Sequence, residues 1–287
     1  MKRIGIIGIG KMGWPLARHL QAAGHRVMVA DTDPQRLQEA RMHGFDVAQI
    51  AALAGQAEIV LSSLPDDAAL DAVSQQVCRA APSGSAFIDT STVSIGVSQR
   101  VAQRCAEAGV GHLRVALSGN NTMAEAAQLT VLASGPRALY DEALPLLQCF
   151  GPVQFYLGGA EQARLMKLVV NLMIAQTSAM LAEALTLGRK GGLDWQDMWK
   201  VLESSAVASP ILKAKAPALK ERDFSPTFTV TQMLKDLGLV LDAGKALQAP
   251  LPGTAVTREL MQAASVRFAG EDYAAVIKIV EQMAGTD

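Results

Sequence analysis

A glycine motif near the N-terminus follows a short β-branched run and precedes a helical pattern. The run covers residues 3–7, the helical pattern covers residues 15–23, and the glycines between them are Gly8, Gly10 and Gly13. Gly8 allows a tight turn, Gly10 lets backbone approach a pyrophosphate, and Gly13 lets the helix pack closely on the strand. N–H groups at the start of the helix then favour the negative phosphates. The motif therefore predicts a Rossmann-type dinucleotide site, which also includes Ile9, Lys11 and Met12.

An acidic residue ends the second predicted strand, about twenty positions after the glycine motif. The strand covers residues 26–30, and Asp31 follows it. An acidic side chain here accepts hydrogen bonds from the adenosine ribose hydroxyls and repels a ribose 2′-phosphate. No arginine directly follows, because residues 32–35 separate Asp31 from Arg36. We therefore predict that NAD is preferred over NADP, with contacts from Asp31 and Thr32. The alternative is that Asp31 is only a helix cap or a turn residue before Pro34.

Strand and helix patterns keep alternating through the first half of the chain. Further strands are predicted at residues 58–62, 86–89, 113–117, 130–133 and 153–156. Such alternation is typical of an α/β fold, in which helices cover both faces of a mostly parallel sheet and ligands bind beyond the carboxyl ends of the strands. Leu64 and Pro65 follow one strand, and Ser91 and Thr92 follow the next. We predict that these residues contact the cofactor; ordinary loop roles are the alternative for each.

A long apolar pattern over residues 161–189 predicts one helix in the middle of the chain. At ~1.5 Å per residue it is roughly 45 Å long, which is enough to connect two domains. Over residues 165–187 the only charged residues are Lys167 and Glu183, so we expect most of the helix surface to be buried. Asn171 lies one turn after Lys167 and therefore on the same helix face. The alternatives are a membrane span for the helix and a lysine that merely extends along the surface.

Only helical patterns recur in the C-terminal part of the chain. The glycine pair Gly191 and Gly192 predicts the end of the long helix, and Asp194 is placed to cap the next one. Further helices are predicted near residues 206–221, 231–247, 254–268 and 272–283. The predicted domains are an NAD-binding Rossmann domain (residues 1–160), an interdomain helix (161–190) and an all-helical C-terminal domain (191–287).

Composition and charge narrow the classes of function. Of 287 residues, 50% are hydrophobic and 18% are charged, and the formal net charge is -1. This balance argues against nucleic-acid binding and against a role at a membrane surface. Three scattered cysteines indicate no disulfide framework, and four histidines without ligand spacing indicate no metal site. Lys2 and Arg3 before an apolar run resemble a signal peptide, but the run is short and contains the glycine motif, so we expect a cytoplasmic protein.

Several motifs occur in order along nearly the whole chain. They are GIGKMGWPLARHLQAAGHRVMVAD at the N-terminus, SSLPDD, IDTSTVS, SGNN, the KLVVN of the long helix, and FSPTFTVTQMLKDLGLVLDAG near residues 224–244. Together they resemble the β-hydroxyacid dehydrogenase family, relatives of 3-hydroxyisobutyrate and 6-phosphogluconate dehydrogenases. The resemblance implies an enzyme that oxidises a small β-hydroxy acid, or reduces the matching semialdehyde, with a nicotinamide cofactor and without a metal. It also implies a dimer or a tetramer.

The resemblance implies roles for the matched positions. Lys167 resembles the family's catalytic lysine, and Asn171 resembles the asparagine that orients the substrate one turn later. Ser118 and Gly119 resemble the start of the loop that anchors the substrate carboxylate, and we expect Asn120 to contribute to it. Lys235 resembles a second lysine that closes the active site from the C-terminal domain, and we group it with the cofactor contacts.

The chain departs from the family pattern at the anchoring loop. The family has Asp-Ala-Pro-Val-Ser-Gly-Gly, whereas residues 114–120 here read Arg-Val-Ala-Leu-Ser-Gly-Asn. Arg114 and Asn120 are therefore unusual, and Asn120 puts an amide where glycine leaves space. This departure bears on the identity of the substrate rather than on the type of reaction. Val170 also replaces the first of two asparagines that many relatives carry.

We expect Lys167 to take the hydroxyl proton while NAD takes the hydride. The lysine has to be unprotonated when oxidation begins, which burial and a nearby cation such as Lys235 favour. Three other functions stay open: an imine reductase-like enzyme, a non-catalytic NAD-binding protein, and a decarboxylating sugar-phosphate dehydrogenase. Imine reductases generally lack this lysine, and the sugar-phosphate enzymes have a much larger C-terminal domain.

Overall fold

The computed structural model describes residues 1–286, which form two compact units. The first unit is Met1–Lys167, and the second begins at Leu168. The division falls inside the continuous helix Gln162–Lys190. This helix is the one predicted over residues 161–189, shifted by one position at each end.

The described strands of the first unit form one sheet. They are β1 (Arg3–Ile7), β2 (Arg26–Ala30), β3 (Asp46–Val47), β4 (Ile59–Ser62), β5 (Ala86–Asp89), β6 (Gly111–Ser118), β7 (Thr130–Ser134) and β8 (Val153–Tyr156). Their order across the sheet is β3-β2-β1-β4-β5-β6-β7-β8, with β6 and β7 antiparallel and the other neighbours parallel. This confirms the predicted mostly parallel sheet. The strand order changes direction between β1 and β4, and ligands of such sheets bind outside the carboxyl ends at that point.

The sequence pattern does not predict β3. This strand has only two residues, and its first side chain, Asp46, is exposed, so it carries no apolar alternation. It forms because it pairs in parallel with Met28 and Val29 of β2.

Helices connect the strands and cover the sheet. They are α1 (Gly13–Ala22), α2 (Pro34–Met42), α3 (Ile50–Gln56), α4 (Asp67–Ala80), α5 (Ile95–Glu107), α6 (Asn121–Glu125) and α7 (Arg137–Leu147), the last followed by a short 3-10 helix at Gln148–Phe150. Asp33, Asp66 and Ser94 accept backbone hydrogen bonds from the first turns of α2, α4 and α5. Such side chains begin helices because they satisfy N–H groups that the helix itself leaves unpaired.

Alternate residues of the strands are buried in two different apolar clusters. Val27 and Val29 of β2 belong to one cluster, and Met28 and Ala30 belong to the other. Because successive side chains of a strand point to opposite faces, the sheet is buried on both faces. This is the arrangement that the near-continuous apolar strands require.

The described elements of the second unit are helices. After α8 (Gln162–Lys190) come α9 (Trp195–Ser204), α10 (Pro210–Lys220), α11 (Val230–Ala246), α12 (Pro252–Phe268) and, after a 3-10 turn at Tyr273–Ala275, α13 (Val276–Ala284). This confirms the predicted helical C-terminal region. Asp194 caps α9, as predicted. Ser209 caps α10, so this helix begins at Pro210 and not at residue 206.

The prediction that most of the surface of α8 is buried is wrong for the described chain. Met173, Met180 and Leu187 are 64%, 60% and 76% exposed, and we call these three side chains the α8 row. A spacing of seven residues places them along one face of the helix. By length and composition α8 would be able to cross a membrane, and 39% of its most apolar window is buried. Apolar composition cannot distinguish a side chain that packs within the chain from one that faces another surface.

Candidate active site

The glycine motif connects β1 to α1 through a backbone that requires glycine at two positions. Gly8 has a φ of +86°, and a Cβ there would meet the carbonyl oxygen of Ser63 at 2.3 Å. A Cβ at Gly13 would lie 1.9 Å from the carbonyl oxygen of Gly8. At Gly10 the nearest atom to a Cβ would be in the Arg36 guanidinium, at 3.5 Å. The turn is therefore tight, and it leaves room beside Gly10 for a ligand.

The first turn of α1 fits the phosphates of a dinucleotide. Among residues 1–286, no side chain caps this helix at Met12. The N–H groups of a first turn lack partners within the helix, and together with the helix dipole they favour an anion. Lys11, one residue before the N-cap Met12, is exposed, whereas the Ile9 side chain is 3% exposed and belongs to the core. The side chain of Ile9, one of the predicted cofactor contacts, therefore packs in the core.

Asp31 ties the glycine motif to the end of β2. Its side chain is 4% exposed, and it accepts hydrogen bonds from the backbone N–H groups of Ile9 at 2.8 Å and Asp33 at 2.9 Å. The cap of α2 is Asp33, which accepts a hydrogen bond from the N–H of Gln35. Asp31 therefore forms the turn before the helix and also orders the motif, while Thr32 beside it is exposed.

An arginine lies beside Asp31 in space, although residues 32–35 separate the two in sequence. The Arg36 guanidinium is 3.4 Å from the Asp31 carboxylate and 3.5 Å from the Asp33 carboxylate. Arg36 lies close to Asp31 because α2 begins at Pro34, and the first turn of this helix brings position 36 back towards the glycine motif. Separation in sequence therefore does not keep this arginine away from Asp31 in space. Two carboxylates nevertheless surround this one guanidinium.

Hydrogen bonds join the loops that follow β4 and β5. The Leu64 N–H donates to Ser91 Oγ at 2.9 Å, and the Ser91 hydroxyl donates to Asp89 Oδ1 at 2.6 Å. The Ser62 hydroxyl donates to the same Asp89 oxygen at 2.6 Å. The structure thereby brings to one edge of the sheet the four predicted contacts Leu64, Pro65, Ser91 and Thr92.

The sequence does not predict a buried ion pair that lies beneath these loops. Asp89 ends β5 with a fully buried side chain, and Arg164 in the first turn of α8 has a side chain that is 2% exposed. The guanidinium donates to Asp89 Oδ2 and to the carbonyl oxygen of Ser91. The sequence feature that indicates this ion pair is an arginine next to a strongly apolar helical pattern. A charge in such surroundings needs a partner.

The predicted anchoring loop begins where β6 ends, at the half-buried Ser118. Gly119 has a φ of +140°, and a Cβ there would lie 2.7 Å from Leu129, so this position requires glycine. The Asn120 side chain accepts a hydrogen bond from the N–H of Met123 at 3.0 Å and caps α6. The residue that departs from the family pattern thus orders the loop with its amide oxygen, and its amide nitrogen is a donor.

Lys167 is half-buried in α8 and reaches the same loop. Its Nζ donates to the carbonyl oxygen of Leu117 at 2.8 Å, one residue before Ser118. A charge-assisted hydrogen bond of this length fixes the position of an ammonium group. The first unit therefore brings Lys167 and the anchoring loop together.

In the second unit, an aspartate that the sequence does not single out connects two predicted residues. Asn171 is 4% exposed, and its amide donates to Asp236 Oδ2 at 2.5 Å. Lys235 Nζ lies 3.0 Å from Asp236 Oδ1. Asp236 is 1% exposed, so its charge depends on such partners. The sequence feature that indicates a role for Asp236 is an acidic residue at a position of α11 where the helical pattern predicts burial.

These residues define the class of the protein. A doubly wound sheet with a glycine turn and an uncapped helix N-terminus holds a dinucleotide, and a lysine lies beside a polar loop in the same unit. Such a site fits an NAD(P)-dependent oxidoreductase, in which the cofactor supplies hydride chemistry and the protein supplies binding and proton transfer.

Comparison with known families confirms this class. The family model described as the NAD binding domain of 6-phosphogluconate dehydrogenase matches residues 3–158. The model described as NAD-binding of NADP-dependent 3-hydroxyisobutyrate dehydrogenase matches residues 161–280. The chain belongs to the β-hydroxyacid dehydrogenase family, and it is a dehydrogenase that acts on a CH–OH group.

Individual relatives match over nearly the full chain. A 2-(hydroxymethyl)glutarate dehydrogenase of Eubacterium barkeri is 32% identical over 99% of this chain and 96% of its own. An L-threonate dehydrogenase of Cupriavidus necator is 31% identical over 97% of this chain and 96% of its own. The structure of a Mycobacterium tuberculosis 3-hydroxyisobutyrate dehydrogenase with L-serine superimposes with a TM-score of 0.91 at 28% identity, covering 97% of this chain and 98% of that one.

Proposed function

We propose that this enzyme transfers a hydride between NAD and a small β-hydroxy acid or its semialdehyde, with Lys167 as the acid–base group. The observation that carries the proposal is the hydrogen bond from Lys167 Nζ to the carbonyl of Leu117, at the start of the anchoring loop. It holds an amine beside the residues that we assign to the substrate carboxylate. The named relatives, which act on small hydroxy acids, support the same substrate class.

In oxidation, Lys167 Nζ takes the proton of the substrate hydroxyl, so the amine is neutral when the reaction starts. The bound dinucleotide supplies the hydride acceptor. The Leu117 carbonyl keeps Nζ in place in both protonation states, because an amine and an ammonium both donate hydrogen bonds. In reduction, the same atom returns the proton to the carbonyl oxygen.

The carboxylate of the substrate is assigned to the loop after β6. The Ser118 hydroxyl, the Gly119 N–H and the Asn120 amide nitrogen are donors on three successive residues. Successive N–H groups in a turn form a concave site for an anion. The capping role of the Asn120 amide oxygen directs that oxygen away from the carboxylate, which it would otherwise repel.

Asn171 is assigned to the substrate hydroxyl. Its amide nitrogen donates to Asp236, so the amide oxygen faces away from this carboxylate. The second N–H of the same amide nitrogen then donates to the oxygen of the substrate hydroxyl, whose single proton goes to Lys167. Asp236 is then a positioning residue, and Lys235 balances part of its charge.

NAD is proposed over NADP because the carboxylates of Asp31 and Asp33 surround Arg36. Two negative charges against one positive charge disfavour a 2′-phosphate. We expect kcat/KM to be higher with NAD, and a preference for NADP in the wild type contradicts the assignment. In Asp31→Asn, which keeps an oxygen for the Ile9 N–H, the NADP/NAD ratio of kcat/KM should rise at least about tenfold. Asp46→Asn, an exposed aspartate on β3, is the matched control.

The α8 row supports self-association. Three large apolar side chains at seven-residue spacing form a seam of the kind that packs against another helix. We propose a second copy of this chain as the partner, which yields a homo-oligomer.

A substrate panel tests the proposed reaction. NADH formation is measured with 3-hydroxyisobutyrate, serine, threonate, glycerate, 4-hydroxybutyrate and hydroxysulfonates, and NADH consumption with the matching semialdehydes. We expect turnover with at least one hydroxy acid and its semialdehyde. Activity with a cyclic imine but with no member of the panel would favour an imine reductase instead.

A further inference from the structure

A single buried carboxylate organises the residues at the ends of β4 and β5. One oxygen of Asp89 accepts hydrogen bonds from the hydroxyls of Ser62 and Ser91, each at 2.6 Å. The hydroxyl oxygen of Ser91 in turn accepts the N–H of Leu64 at 2.9 Å. The orientation of Ser91, and with it the start of the loop at Leu64, therefore depends on the position and charge of Asp89.

Arg164 holds this carboxylate from the other side. Its guanidinium donates to the second oxygen of Asp89 and to the carbonyl of Ser91, and its Nε lies 3.4 Å from Ser98 Oγ. Asp89 is fully buried and Arg164 is 2% exposed, so the charge of Asp89 is compensated within the protein rather than by solvent. A planar guanidinium is suited to this position because it donates to two acceptors at once in a fixed geometry.

Without the guanidinium, Asp89 would be a buried charge without its cationic partner. Arg164 also donates to the carbonyl oxygen of Ser91, so its loss would release the Ser91 backbone as well. Ser91 would then turn, and the Leu64 N–H would lose its acceptor. The effect of a change at Arg164 thus extends to both loops.

Anchoring α8 is a weaker explanation for Arg164. The start of α8 is already tied to β6 by a second ion pair, in which Arg114 Nε lies 2.6 Å from Glu161 Oε1. Both of those side chains are largely buried, at 8% and 12% exposure. Arg164 adds to this the contacts with the carboxyl end of β5, where the predicted cofactor contacts lie.

We propose that Arg164 is a positioning residue for cofactor binding: through Asp89 and Ser91 it holds the loops after β4 and β5 in the conformation that receives the dinucleotide. The inference rests on the cofactor site of the proposed function. It does not depend on the identity of the substrate. It also connects the first turn of α8 to those loops, three residues before Lys167.

Equilibrium binding tests the proposal without turnover. NADH and NADPH are titrated by fluorescence into the purified full chain, for the wild type, Arg164→Lys and Arg164→Gln. Arg164→Lys keeps the charge but removes the two-armed contact, and we expect the dissociation constant of the preferred dinucleotide to rise about tenfold, the equivalent of one charged hydrogen bond. Arg164→Gln should lose more.

Arg104→Gln is the matched control, because Arg104 also pairs with an aspartate and a serine of the same unit. It lies 3.0 Å from Asp71 and 2.5 Å from Ser74, between α4 and α5. We expect its affinity for the dinucleotide to stay within about twofold of the wild type. All titrations are done well below the melting temperature of each variant, so that a loss of stability alone does not change the result.

The outcomes separate the inference from the function on which it rests. If the wild type binds a dinucleotide and Arg164→Lys binds it equally well, the positioning role is wrong even if the melting temperature has fallen. Should Arg164→Gln fail to fold, Arg164→Lys decides by itself. If the wild type binds neither NADH nor NADPH, the cofactor assignment is wrong, and the positioning role of Arg164 is then wrong as well.

Discussion

Replacing Lys167 with methionine is the most direct perturbation of the proposed mechanism. Methionine keeps an unbranched side chain of similar length but removes the amine. A positioned acid–base group contributes typically ~10²- to 10⁴-fold to the rate, which corresponds to roughly 2.7 to 5.4 kcal/mol at the transition state. We therefore expect kcat of Lys167→Met to fall by that range for oxidation and for reduction.

The same substitution should lower stability moderately and leave cofactor affinity almost unchanged. It removes the hydrogen bond to the Leu117 carbonyl, a type of contact that contributes about 1.5 to 3 kcal/mol when one partner is charged. For a chain of this size that corresponds to a melting-temperature decrease of roughly 3 to 12 °C. The glycine turn and Asp31 are untouched, so NADH should bind within about twofold of the wild type.

The assay combines steady-state kinetics on the best substrate of the panel, NADH titration and thermal unfolding. Lys190→Met, an exposed lysine at the end of the same helix, is the matched control and should retain full activity. If Lys167→Met is folded, binds NADH and keeps kcat within about threefold of the wild type, Lys167 is not the acid–base group. If it loses NADH binding in parallel with activity, its role is in binding rather than in proton transfer.

Three further predictions concern other parts of the chain. Burial, with a further contribution from the positive charge of Arg114, lowers the pKa of His112 to about 3, below its usual 6.5. Between about pH 6 and pH 4 the unfolded chain therefore binds a proton at His112 that the folded protein does not bind. The free energy of unfolding should decrease by up to about 1.4 kcal/mol per pH unit over this range. In urea unfolding, His112→Gln should lack this part of the pH dependence, and equal slopes for the variant and the wild type would contradict the assignment. The hydrogen bond from Cys105 lowers the pKa of Cys78, whereas burial raises the pKa of Cys149. Labelling with iodoacetamide, read by peptide mass spectrometry, should therefore modify Cys78 first. Faster labelling of Cys149 would refute this order. In light scattering, Met180→Glu in the α8 row should lower the molecular mass of the oligomer. The control Val266→Glu, at an 80% exposed position of α12, should leave the mass unchanged. An unchanged mass for Met180→Glu excludes the row from the interface.

Local patterns determined most of the fold. The β-branched run, the glycine spacing and the alternation of strand and helix patterns predicted the parallel sheet, and β1, β2, β5 and β8 have the predicted bounds. The apolar periodicity predicted α8 to within one residue at each end. These features are predictable because side-chain periods and turn chemistry act between residues that are close in sequence.

The long-range contacts within each unit were decided by the tertiary structure. Asp89 lies 75 positions from Arg164, and Asn171 lies 65 positions from Asp236. Arg36 is close to Asp31 only because a helix turn intervenes. A charge at a buried position signals that a partner is needed, but it does not say which one, since that depends on which strand and helix ends meet. The sequence by itself therefore determined the dinucleotide fold and the candidate lysine, whereas the structure alone showed what holds the cofactor loops, the anchoring loop and Asn171, and which apolar face of α8 is left exposed.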